Sequence, residues 1–194
     1  MLNWGISLIT MFMAGIGACF EYDLKKIIAL STLRQLGLII RILFLGYPIL
    51  SFYHLLTHAF FKALLFLRAG LIIHCMSDSQ DIRHIGGVLN YLPITCSCFC
   101  ISNLALCGVP FLSGFYSKDL IVEVYSIRGF NLLFYFIYYI SIGLTVSYRL
   151  RLIYYCLRNG NNNYVCQSYF EDFNIIFSQG CLSIMAVISG STLS

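Results

Sequence analysis

The stretch His54-Leu55-Leu56-Thr57-His58-Ala59-Phe60-Phe61-Lys62 sits inside an apolar run from Ile49 to Ile73 that is long enough to cross a bilayer. Its three titratable residues fall at i, i+4 and i+8. On a helix of about 3.6 residues per turn and about 1.5 Å rise per residue, that spacing places them on one stripe in steps of about 6 Å. Titratable groups within a membrane span are costly, face a bundle interior or a water-filled cavity, and mark proton or ion paths. The stripe therefore predicts a hydrated polar path, with a set of satisfied core polar groups as the plainer alternative. Zinc binding by the two histidines is disfavoured, because the zincin pattern requires Glu where Leu55 stands.

The surrounding composition fixes the solvent. Of 194 residues, 59% are apolar and 10% charged, with a mean hydropathy of +0.83; a soluble domain carries about 25% charge. The expected fold is an all-α membrane protein with about six transmembrane helices. The apolar segments run from Leu2 to Phe20, Ile27 to Gly46, Ile49 to His74, Pro93 to Tyr125, Phe130 to Leu157 and Phe173 to Ser194. Several reach the roughly 20 residues that a ~30 Å hydrocarbon core demands. Residues 1–157 are expected to form one five-helix unit, 158–172 a polar loop and 173–194 a further helix. The loop holding Asp78, Asp81, Arg83 and His84 reads as solvated, and Lys25 and Lys26 as lying at the membrane edge.

Loop charge predicts an orientation. Lys25, Lys26, Arg83 and Arg158 share one side, against Arg128 on the other, so the positive-inside rule puts the first set in a cytoplasm or matrix. A net charge of +4, scattered along the chain, speaks against nucleic acid. The N-terminus lacks the basic region and cleavage site of a signal peptide. Most of the nine cysteines lie in apolar runs without a C-x-x-C, so they read as small buried residues rather than disulfides or metal ligands.

The second clue is in the fourth segment. Pro110 and Gly114 bracket Phe111-Leu112-Ser113 within a hydrophobic span, and Lys118-Asp119 follow. Proline removes a backbone donor and clashes with the preceding turn, so the helix is expected to be interrupted near Pro110–Gly114. Irregular backbone at membrane depth is tolerated where it is buried in protein or lines a hydrated cavity, and broken helices recur at transporter ion sites. Lys118 beside such a break could bind and release a proton. The alternative is a lysine that ends the helix and snorkels to the interface.

Together Lys25-Lys26-Ile27-Ile28-Ala29-Leu30-Ser31-Thr32, the run His54 to Gly70, Gln80-Asp81-Ile82-Arg83 and Pro110 to Asp119 resemble the subunit-five family of mitochondrial NADH dehydrogenase. These are antiporter-like membrane subunits of respiratory complex I, and the resemblance is to arthropod members and to part of their length. It implies the second five-helix repeat of an antiporter-like fold plus one further helix. It also implies a proton relay through His54, His58 and Lys62, a gating lysine at Lys118 and an acidic neighbour at Asp119. The implied setting is multi-pass, in the mitochondrial inner membrane, with other membrane-arm subunits and the lipid bilayer as partners. The chain is expected to bind no cofactor itself. No G-x-G-x-x-G or iron–sulfur ligand set occurs, so NADH, flavin, iron–sulfur clusters and ubiquinone would belong to partner subunits of an H+-translocating NADH:ubiquinone reductase. A cation/proton antiporter subunit is an alternative, as is a non-functional helical fragment.

The sequence departs from the resemblance at Arg34, Arg41, Arg68 and Arg149, where relatives generally carry small or neutral residues. Arginine near a bilayer centre costs about 2.5–3.5 kcal/mol even on insertion scales. Invertebrate mitochondria read AGA and AGG as serine, and ATA as methionine. Reading such a gene, or a nuclear copy of it, in the standard code would explain the arginines and Ile39-Ile40 together. With TGA read as stop, it would also explain the missing parts of the family pattern.

Overall fold

The computed structural model describes residues 2–127, 132–157 and 173–193. Glycine and proline partition it. Helix α1 (Leu2–Phe20) ends in the polar turn Glu21-Tyr22-Asp23, and α2 (Leu24–Phe44) stops before Gly46, whose φ of +87° only glycine adopts without strain. Pro48 opens α3 (Pro48–Cys75), where its missing N–H and preset φ cost nothing. Its 28 residues span about 42 Å at 1.5 Å each. A four-residue turn, α4 (Val88–Tyr91), precedes α5 (Pro93–Cys107), again begun by proline and ended at a left-handed Gly108. Then follow α6 (Ser113–Ile127), α7 (Leu132–Leu157) and α8 (Phe173–Leu193). Helices α2, α3 and α7 are long and apolar enough to cross a membrane, while α1, α5 and α8 carry shorter apolar stretches.

This is the expected all-helical membrane architecture, with the fourth segment divided into α5 and α6. Helix α2 starts three residues before Ile27. Asp23 is extended, at φ −74° and ψ 120°, and Lys25 and Lys26 form the first turn of the helix. The 158–172 loop, Arg128 and Arg158 lie outside the described residues.

Helix α3 is the centre of the bundle, packed against α2, α5, α6 and α8, while α1 lies along α2 and α7. Its apolar positions Phe61, Leu65, Ala69 and Ile72 join Ile27 and Ile28 of α2 and Phe99 of α5 in one buried core. The stripe that carries His54, His58 and Lys62 is therefore turned inward by the helix on which it sits.

The loop after α3 is more than a solvated connection. Leu24 N–H donates to Gln80 O at 2.9 Å and Ile82 N–H to Tyr22 O at 3.0 Å, so the loop is stapled to the α1–α2 turn. Arg83 grips Asp81 through Nε (3.1 Å) and Nη2 (2.7 Å) and lies 4.3 Å above the Tyr22 ring. Hydrogen bonding to Arg83 holds the Asp81 carboxyl below the usual carboxylate range. Arg151 closes the same end, donating to Ala18 O and Glu21 O at 2.8 Å each and to Cys19 O.

Candidate functional site

The three groups of the α3 stripe are all buried, at 2%, 8% and 5% exposure for His54, His58 and Lys62. The two imidazole centroids lie 6.1 Å apart, one helical step. His54 is held at both ring nitrogens, with Nδ1 3.0 Å from Ser117 Oγ and Nε2 3.3 Å from Gln35 Oε1. Nε2 of His58 is buried with no hydrogen-bond partner among the described residues. The Lys62 ammonium donates to Ile28 O at 3.0 Å and to Ser31 Oγ, both on α2. His54 and Lys62 thus both reach α2, and His54 reaches α6 as well.

The break between α5 and α6 explains the fourth group. In an unbroken helix the carbonyl of Leu106 would accept from the N–H of residue 110. That residue is Pro110, which has none. The orphaned carbonyl takes its hydrogen bond from Lys118 Nζ instead, one turn into the second half of the interrupted helix. Phe111, at φ +71° and 86% exposed, turns the chain between the halves. Gly114 then seats α6 directly on the end of α5: a Cβ there would land on the Ala105 carbonyl oxygen, a backbone atom that cannot step aside. Gly114→Ala is expected to destabilise the subunit by about 1–3 kcal/mol or more, the range of overpacked cores. Thermal unfolding of the assembled full-length subunit measures it, and an unchanged transition would mean that α6 does not rest there.

Beside Lys118 is a cavity of ≈ 140 Å³, large enough for several waters. Arg34 and Gln35 of α2, Cys107 and Gly108 at the end of α5, Lys118 and Asp119 of α6, and Tyr138 and Thr145 of α7 contribute to its wall. Lys118 is half-buried, whereas Asp119 is exposed. The ion pairs Lys26–Asp23, His74–Asp78 and Arg83–Asp81 lie away from this cavity. Among the described residues no hydrogen bond joins Lys62 or His58 to Lys118.

The four departing arginines are all interior. Arg34, Arg41, Arg68 and Arg149 are 2%, 2%, 0% and 1% exposed. Arg34 donates to Ser141 O and Arg149 to Asn103 Oδ1 at 2.7 Å, but Nε of the first and Nη2 of the second are buried without a partner among the described residues. Arg41 reaches Tyr125 OH and lies 4.2 Å over that ring. Arg83 and Arg151, the arginines outside this set just described, meet a carboxylate or a helix C-terminus instead.

Sequence reasoning missed Ser31, Gln35, Ser117 and Asn103. Ser31 and Gln35 stand at i, i+4 on the face of α2 turned to α3, which was the available signal. Ser117 had none beyond its place next to Lys118.

Comparison with known proteins places the chain. It is 54% identical over 97% of its length to NADH-ubiquinone oxidoreductase chain 5 of Locusta migratoria and 56% identical over 97% to that of Anopheles quadrimaculatus. It spans about a third of the length of each, 33%. In fold it is similar to a chain of the membrane-bound sulfane sulfur reductase, an archaeal respiratory membrane complex, with a TM-score of 0.83 and 27% identity over 97% of this chain and 32% of that one. A chain of respiratory complex I from Thermus thermophilus shares the fold at TM-score 0.77 and 17% identity, over 99% of this chain and 44% of that one. The profile of the transmembrane family of NADH:quinone oxidoreductases and Mrp antiporters matches residues 2–145, so the chain belongs to that family.

Proposed function

We propose that this chain is the part of an antiporter-like membrane-arm subunit that relays protons in an NADH:ubiquinone oxidoreductase of the mitochondrial inner membrane. The observation that carries the reading is Lys118. Its amine caps the carbonyl that Pro110 leaves orphaned and stands at a cavity, close to a buried stripe of two imidazoles and a second amine. An amine can hold or release a proton, and an imidazole can accept one at one nitrogen and release it from the other. A proton held at Lys62 passes by His58 and His54, and waters in the cavity carry it to Lys118. Lys62 and Lys118 repel each other when both are charged, so a charge arriving at one favours release from the other. Asp119, at the outer wall of the cavity, offers an acceptor on the way out. The driving signal, with NADH, flavin, iron–sulfur clusters and ubiquinone, belongs to partner subunits of the complex.

Lys118→Ala in the full-length subunit, assembled in its complex, tests this. The expected result is a fall in protons moved per electron with assembly intact; an unchanged ratio would remove Lys118 from the path. A second reading rests on the buried arginines: a chain that carries four interior guanidiniums as written is a non-functional membrane fragment, translated in the wrong code.

A further inference from the structure

Resting on the relay reading, we infer that Ser117 and Gln35 are the positioning pair that lets His54 carry a proton in either direction. A histidine passes a proton by accepting it on one ring nitrogen and releasing it from the other, after which it must return to the first tautomer. A partner that can only donate or only accept locks one tautomer, because the other would leave a buried nitrogen unsatisfied. The two partners of His54 can each do both.

With the proton on Nε2, His54 donates to Gln35 Oε1 (3.3 Å) and Nδ1 accepts from the Ser117 hydroxyl (3.0 Å). With the proton on Nδ1, His54 donates to Ser117 Oγ, and the flipped Gln35 amide donates its NH2 to Nε2. The serine hydroxyl then has another acceptor waiting, Gly114 O at 3.4 Å. Thr57 Oγ1 lies 3.4 Å from Ser117 Oγ, while its single proton has nearer acceptors in His54 O at 3.1 Å and Tyr53 O at 3.3 Å. Both tautomers therefore keep both hydrogen bonds, and switching needs only a hydroxyl rotation and an amide flip. Ser117 is 0% and Gln35 2% exposed, so bulk water does not take over either contact.

The placement connects the two halves of the site. Ser117 lies on α6 next to Lys118, and Gln35 lines the same cavity as Lys118 while bonding to a group on α3. His58, by contrast, has a buried Nε2 with no partner among the described residues, so it lacks this two-sided support.

Ser117→Thr and Ser117→Val test the inference in the full-length subunit within its assembled complex. The two side chains have the same shape and crowd the site equally; they differ in the hydroxyl. The expected result is proton movement per electron retained in Ser117→Thr and largely lost in Ser117→Val. Gln35→Leu, which offers neither donor nor acceptor, is expected to lose it as Ser117→Val does, and a normal ratio there would remove Gln35 from the pair. Equal ratios for threonine and valine, whether high or low, would overturn the role of the hydroxyl. Lys118→Ala, measured beside them, separates the two levels. If it moves protons normally, the relay reading itself fails; if it does not, while threonine and valine behave alike, only this inference fails.

Discussion

Serine at positions 34, 41, 68 and 149 is expected to stabilise the inserted fold by several kcal/mol over the chain as written. Each arginine is at most 2% exposed, and on insertion scales a guanidinium at helix centre costs about 2.5–3.5 kcal/mol. The surroundings of Arg34 and Arg149 offset little of that. Arg34 and Arg149 end on a backbone carbonyl and an amide, leave a buried nitrogen each without a partner, and face no carboxylate among the described residues. Arg41 gains more than these two, from the Tyr125 and Tyr138 rings at 4.2 and 4.8 Å, contacts worth up to about 2 kcal/mol when desolvated. Replacing it should therefore help less than replacing Arg34 or Arg149. Serine instead leaves a small hydroxyl that bonds its own helix, as Ser31, Ser102 and Ser141 already do. The fraction inserted and folded in lipid, for the chain as written and with four serines, measures the gain. The gene decides the cause: CGN codons at these positions would end the wrong-code explanation.

Lys62→Arg is expected to stop proton passage while keeping the charge. The Lys62 amine reaches Ile28 O and Ser31 Oγ from within the core. If its role were only to tie α3 to α2, a guanidinium with more donors would serve as well. A relay must release its proton, and arginine, with an ordinary pKa about two units or more above that of lysine, holds it at any working pH. The substitution is thus expected to give a complex that assembles but moves fewer protons per electron. Normal movement would reduce Lys62 to a structural tie.

Which features were legible in the sequence follows from how strongly each residue type constrains its surroundings. Proline in an apolar span forces an interruption, so the α5–α6 break was readable from Pro110 and Gly114 alone. Histidine and lysine are too costly to face lipid, so the inward stripe of α3 was readable from spacing. Serine and glutamine are cheap enough to stand on either face, and only the packing of α2 and α6 against α3 shows that Gln35 and Ser117 grip His54. Asp119 came from the resemblance rather than from its residue type; neighbours on a helix point about 100° apart, and the structure has it exposed at the wall of the cavity that Lys118 also lines. The loop of Asp81 and Arg83 looked solvated because its charges are local; its backbone pairing with Tyr22 and Leu24 joins segments far apart in sequence.

The central claim is that the α3 stripe and Lys118 belong to one path. It is tested most directly by protons moved per electron in the assembled full-length complex carrying Lys62→Ala, Lys118→Ala or both. Two steps of one path fail together, so the double variant is expected to lose no more than the worse single one. Losses that add up would place the two lysines on independent routes and contradict the account.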